Sequence, residues 1–181
     1  MSFSSFSRRT LIAAAAALLA AATVVAQPAA AARPPETPSR GDVVPVFETM
    51  TVDGSAQKVD FPKGSKTVLL FFLSGCPHCH KMIPEWNQAF ERRPKGLRVL
   101  GVIMDQEPPG FWQQMPVAFP VLRAPGRDFL RSLNVNRVPL TLRVAEGGRI
   151  EDFGLGEVCS GGASASCVDA IHLGQLFAPP K

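Results

Sequence analysis

The sequence predicts an α/β fold in which a mixed central sheet carries helices on both faces and is entered through an N-terminal β-hairpin. Three observations carry this expectation. Short runs rich in Val, Leu and Phe alternate with segments of helical apolar spacing between residues 43 and 177, the pattern of strands joined by right-handed helical crossovers. Thr67–Leu73 is apolar on both faces, as a central strand covered from two sides must be. Glu146-Gly147-Gly148 joins the last two strands, and so tight a turn makes that pair antiparallel and the sheet mixed.

Composition narrows the class. A chain of 181 residues is about one domain long, and its 46 % apolar and 19 % charged content is that of a globular protein. The net charge is +4, with 19 basic and 15 acidic residues. Removing Arg8 and Arg9 with the N-terminal segment leaves 17 basic against 15 acidic residues. That surplus is too small to argue for nucleic acid, and no basic stripe with interleaved aromatics occurs. The four cysteines form an even set, as an oxidising compartment allows.

Residues 1–32 read as an export signal. Ser7-Arg8-Arg9-Thr10 supplies a positive start, Leu11–Ala26 an alanine-rich apolar stretch, and small residues follow. The stretch is short and weakly hydrophobic for a membrane span of about 20 residues, so cleavage is expected, with membrane attachment only if the signal stays on. Ser-Arg-Arg-Thr-Leu-Ile also resembles a twin-arginine signal, which leaves the export route open. Residues 33–42, rich in Pro and polar side chains, suit a linker, and residues 43–181 form the folded domain.

Within that domain Val43–Val52 and Gln57–Phe61 flank Asp53-Gly54, a strong hairpin turn. Pro62-Lys63-Gly64-Ser65 turns the chain into the strand 67–73. Residues 77–93 place Met82, Ile83, Trp86, Ala89 and Phe90 at helical spacing, with Pro84 expected to kink the helix and Pro94-Lys95-Gly96 to end it. Leu97–Met104 reads as a buried strand, 111–115 as a short helix, and 119–122 as a short strand. A helix is expected over 127–133, strands at 140–144 and 149–153, a loop rich in Gly, Ser and Ala at 154–167, and a last helix at 168–177.

Chemistry concentrates where strand 67–73 meets the helix. Cys76-Pro77-His78-Cys79 follows Ser74-Gly75, so a dithiol sits at the first turn of a helix. A thiolate, and not a thiol, attacks a disulfide, and the unpaired N–H groups and positive dipole of a helix start favour an anion. His78 can add a hydrogen bond or a charge, and Cys79, one turn on, is placed to release a partner bound to Cys76. Other readings compete. The pair can be a plain structural disulfide. His80 completes a C-x-x-C-H pattern of the kind that carries c-type haem, although such a site wants a mostly helical wrapper. Cys76, His78, Cys79 and His80 also make a possible metal set, with His172 otherwise a helix-surface residue.

Taken together, Cys76-Pro-His-Cys79 with Pro84 five residues later, Leu97–Asp105 followed by Phe119-Pro120-Val121, Phe61-Pro-Lys-Gly-Ser65 and Val138-Pro139 resemble the thioredoxin superfamily, and within it the exported TlpA-like branch. The resemblance covers about residues 43–177. It implies a thioredoxin-like three-layer sandwich with a β-α insertion, Cys76 as nucleophile, Cys79 as resolving thiol, and Pro77 and His78 in support. It also implies a cis Pro139 which, with Val138, forms a backbone ledge for substrate; an X-Pro bond is otherwise cis only about 5 % of the time. No cofactor or metal is implied.

Three positions depart from the family. Gly75 stands where Trp often precedes the first cysteine, and Leu70 and Met82 stand where related reductases carry acids. The Pro-His dipeptide is instead that of DsbA-like oxidants. Cys159 and Cys167 enclose seven residues of Gly, Ala and Ser and are expected to form a structural disulfide, contributing about 2.5 kcal/mol in the chain-entropy picture; a second, electron-relaying pair is the alternative. The expected function is exported thiol–disulfide exchange on cysteine-containing proteins, leaning towards oxidase or isomerase, with a partner that recycles the dithiol. A reductase for cytochrome c or metal-site assembly is the runner-up, and a haem or copper carrier the reading from another class.

Overall fold

The computed structural model describes residues 37–159 and 167–179. The expected export signal lies outside the described residues, as does the whole segment between Cys159 and Cys167. An antiparallel hairpin of β1 (Phe47–Met50) and β2 (Ala56–Val59) precedes a five-stranded sheet. That sheet runs β5 (Val121–Arg123), β4 (Leu97–Ile103), β3 (Lys66–Phe72), β6 (Leu140–Val144), β7 (Ile150–Leu155). β3, β4 and β5 are parallel, while β6 and β7 are each antiparallel to the strand before them in this order.

The sequence alternation of β3 explains the layers. Val68, Leu70 and Phe72 point to one core, shared with Cys79, Met82, Ile83 and Trp86 of helix α1 (Pro77–Glu91), Phe111 of the short helix α2 (Phe111–Gln114), and Leu173 and Leu176 of helix α4 (Ala170–Leu176). Leu69 and Phe71 point to the other, formed with Val44, Phe47 and Val59 of the hairpin region and Leu133 and Val135 behind helix α3 (Arg127–Ser132). Each such buried side chain contributes about 1.5–3 kcal/mol by leaving water. One glycine is demanded by this packing: Gly148 has φ +81°, and a Cβ there would collide with the Val44 carbonyl.

The structure shifts several boundaries for physical reasons. The strand expected at 119–122 begins at Val121, because Pro120 has no N–H for a ladder. The Pro120 carbonyl still accepts Gly101 N–H at 2.8 Å, and the Phe119 ring packs where a Cβ on residue 101 would stand. Helix α1 continues through Pro84 to Glu91. The last helix starts at Ala170, two residues later than its apolar spacing suggested, because Asp169 caps it by accepting His172 N–H at 2.6 Å. The segment expected as a loop from 154 instead extends β7 to Leu155 and forms a two-residue parallel pair, β8 (Glu157–Val158) with β9 (Cys167–Val168). His172, expected on the helix surface, is half-buried and pairs with Asp152 at 3.1 Å.

Candidate active site

The Phe72↔Ile103 register of β3 and β4 places the residues just beyond both strands side by side. Ser74 and Asp105 meet there. Asp105 accepts the Ser74 N–H at 2.9 and 3.1 Å and the Ser74 hydroxyl at 2.8 Å. From the other side, His80 Nε2 lies 2.6 Å from the Ser74 carbonyl oxygen. The turn that delivers Cys76 is therefore fixed by a carboxylate from β4 and an imidazole from α1, and Ser74 itself is buried.

Cys76 is the N-cap of α1, with extended backbone (φ −88°, ψ 112°) and Pro77 at the first helical position, where a missing N–H costs nothing. Its sulfur accepts the Cys79 N–H at 3.3 Å. The two cysteines are free thiols with opposite exposure: Cys76 is half-buried and Cys79 is fully buried in the core. Burial pushes the Cys79 thiol up, its hydrogen bond to Cys76 and the nearby Cys76 and Asp105 charges push it the same way, and the Leu73 backbone only partly opposes them. The arrangement offers one accessible sulfur for attack and one protected sulfur that stays protonated until it is called on.

The Val138–Pro139 peptide is cis. Because Phe71 pairs with Leu140, this peptide lies beside the C-terminal end of β3 and next to the dithiol. Pro139 is buried, its carbonyl accepts Gly156 N–H at 2.8 Å, and Val138 packs against both cores. A groove of about 320 Å³ opens here, lined by His78, Val138, Pro139, Glu157, Cys159 and Cys167 among others. Cys159 and Cys167 form a disulfide, with Cα atoms 5.8 Å apart.

His78 and His80, neighbours in the competing metal and haem readings, face different partners: His80 meets the Ser74 carbonyl, and His78 Nδ1 lies 3.3 Å from Glu157. Among the described residues no cluster of three His, Cys, Asp or Glu is arranged to hold a metal ion.

Sequence reasoning missed Ser74, Asp105 and Glu157. The pair Ser74–Asp105 had a signal, since each follows the end of an apolar strand. Glu157 had none, lying in a segment that reads as loop. The acids sought at positions 70 and 82 are absent, both side chains being buried and apolar; an acid near Cys79 arrives instead from β4.

The fold that carries this site is thioredoxin-like, and comparison with known proteins agrees on the fold and family. The Redoxin family model matches residues 39–165, and the chain belongs to that family; it is a TlpA-like thiol–disulfide oxidoreductase of the thioredoxin superfamily. It is 25 % identical over 119 residues to sporulation thiol-disulfide oxidoreductase A of Bacillus subtilis, covering 61 % of this chain and 71 % of that protein. Two solved structures share the fold. StoA from Bacillus subtilis superposes with a TM-score of 0.58 at 21 % identity, covering 74 % of this chain and 97 % of that one. A secreted Mycobacterium tuberculosis disulfide oxidoreductase homologous to E. coli DsbE gives 0.56 at 17 % identity, covering 72 % and 93 %.

Proposed function

We propose that the protein is exported and exchanges disulfides with cysteine-containing proteins through Cys76, working as a donor or rearranger of disulfides. A substrate thiolate attacks Cys76 of the closed Cys76–Cys79 disulfide, forming a mixed disulfide and releasing Cys79. A second substrate thiolate then attacks the substrate sulfur, so the substrate leaves oxidised and Cys76 leaves as a thiolate. Val138 and the cis Pro139 offer the ledge along which a substrate segment lies. The supporting observation is the helix start: Cys76 is the N-cap of α1 and its sulfur accepts the Cys79 N–H at 3.3 Å. A donated N–H and the positive end of the helix favour the thiolate that only the reduced form supplies, and so make the couple more oxidising. Export is supported by the N-terminal sequence, with its paired arginines and alanine-rich apolar stretch, and by the Mycobacterium tuberculosis disulfide oxidoreductase of the same fold, which is secreted.

Measuring the reduction potential of the Cys76–Cys79 couple tests direction. A value near −120 mV, that of a strong oxidant, is expected rather than one near −270 mV, that of thioredoxin. The second value would instead indicate a reductase. Exchange activity surviving intact in Cys76→Ser would overturn the assignment of the nucleophile.

A further inference from the structure

We infer that Glu157 is a positioning residue for His78, kept in place by the Cys159–Cys167 disulfide, so that the redox state of this second cysteine pair tunes the first. The inference rests on the exchange chemistry proposed for Cys76 and Cys79. His78 and Lys81 stand three residues apart on the exposed side of α1 and converge on one carboxylate: His78 Nδ1 lies 3.3 Å, and Lys81 Nζ 3.2 Å, from Glu157 Oε2. Lys81 also donates to Oε1 at 3.3 Å. Oε2 is closed to solvent and has no well-aligned hydrogen bond, so the two cations beside it are its compensation. Lys81, and after it His78, holds the Glu157 carboxyl below the ordinary range.

Glu157 follows Gly156, whose N–H is held by the Pro139 carbonyl at 2.8 Å. Its own strand, β8, is two residues long and, among the described residues, pairs in parallel with β9 alone, Glu157 opposite Cys167. Such a short ladder is not stable by itself. Two residues further on, Cys159 is bonded covalently to Cys167 and its N–H donates to the Val168 carbonyl at 3.1 Å. The crosslink thus secures the strand that presents the acid, and both of its cysteines line the same groove as His78 and Pro139.

The consequence has a definite sign. A dithiol reductant passes two electrons and two protons to the Cys159–Cys167 bond; the S–S bond breaks, two S–H groups form, and the reductant closes its own disulfide. β8 then loses its tether, and Glu157 no longer holds the His78 ring through Nδ1. The freed imidazole can hydrogen-bond the anionic sulfur that the reduced dithiol supplies, so the Cys76–Cys79 couple becomes a stronger oxidant. The relationship is mutual, as any coupling between two equilibria must be.

The test is the Cys76–Cys79 equilibrium constant against glutathione in the full chain, for wild type, Glu157→Gln, the pair Cys159→Ser/Cys167→Ser, and the triple variant. Glu157→Gln and the serine pair are each expected to shift the constant about threefold towards the oxidant, ~15 mV for a two-electron couple. The triple variant is expected to shift no further than either. No shift in Glu157→Gln, a shift of opposite sign, or shifts that add in the triple variant would overturn the inference. Should the serine pair fail to fold, Glu157→Gln is repeated in a His78→Ala background, where it is expected to lose most of its effect; an undiminished effect there would overturn the positioning role. A wild-type protein with no reversible Cys76–Cys79 couple would instead overturn the proposed function on which the inference rests.

Discussion

Trp86 donates its indole N–H to Thr141 Oγ1 at 2.9 Å, a fully buried bond that ties the dithiol helix to the strand carrying the cis proline. The two halves of the site, Cys76–Cys79 on α1 and Val138–Pro139 before β6, are thereby held in one frame. The Trp86 ring also packs against Phe72, at 6.1 Å, and Phe119, at 6.4 Å between centroids, so it braces the end of β3 as well.

Replacing Trp86 with Phe keeps an aromatic ring but strips the donor and leaves the Thr141 hydroxyl buried without it. Such an orphaned group costs about 1–3 kcal/mol, and the smaller ring adds a void. Urea denaturation of Trp86→Phe is expected to show a loss of that order with an unchanged slope, since the folded surface is the same. A loss under about 0.5 kcal/mol would mean that Thr141 finds another partner.

Asp105 carries the second prediction. Three hydrogen bonds run from Ser74 to its carboxylate, and bonds to a charged acceptor are worth about 1.5–3 kcal/mol each at most. Asp105→Ala is expected to loosen the turn before Cys76 and to slow mixed-disulfide formation at least about tenfold, as loss of alignment does. Asp105→Asn keeps an oxygen for the Ser74 N–H and is expected to fall between wild type and Asp105→Ala. Stopped-flow measurement with a dithiol-reactive peptide disulfide checks the order, and equal rates in all three proteins would reject the role of the clamp.

Why some of this was legible in the chain and some was not has a physical answer. Strand β3, helix α1 and the N-terminal hairpin each bury a face, and burial leaves an apolar period that can be read directly; Val68, Leu70 and Phe72 against Leu69 and Phe71 is such a record. Local chemistry was legible too, in the cysteines at a strand-to-helix turn. The missing parts depend on register between distant strands. Ser74 meets Asp105 only because Phe72 pairs with Ile103, and the apolar strand end before each residue does not tell which strand pairs with which. β8 and β9 are too short to have a period, and their placement depends on a crosslink across a Gly-Ser-Ala segment. Arg143, which reads as a polar interruption of β6, is buried because it donates to the Gln175, Leu176 and Ala178 carbonyls at the end of α4, at 2.7–3.1 Å, a C-terminal cap supplied from another element.

The buried resolving cysteine predicts an alkaline limit that depends on redox state. Burial and its contact with Cys76 push the Cys79 thiol above its ordinary value of 9.0. In the unfolded chain a cysteine releases its proton near that ordinary value, whereas in the folded protein Cys79 keeps it. A folded pKa above the unfolded one gives a stability contribution that is complete below pH 9 and is lost as the pH rises above it towards the folded value. The reduced protein is therefore expected to lose up to about 1.4 kcal/mol per pH unit above 9 from this group. The oxidised protein, with Cys79 in a disulfide, has no such proton to lose. Denaturant unfolding of both forms between pH 8 and 10.5 checks this. The gap between them should move against the reduced form above pH 9, and Cys79→Ala, which has only a thiol form, should lack the Cys79 part of the reduced protein's fall. A gap between the two forms that stays constant over the range would show that Cys79 ionises in the folded protein as it does in the unfolded chain.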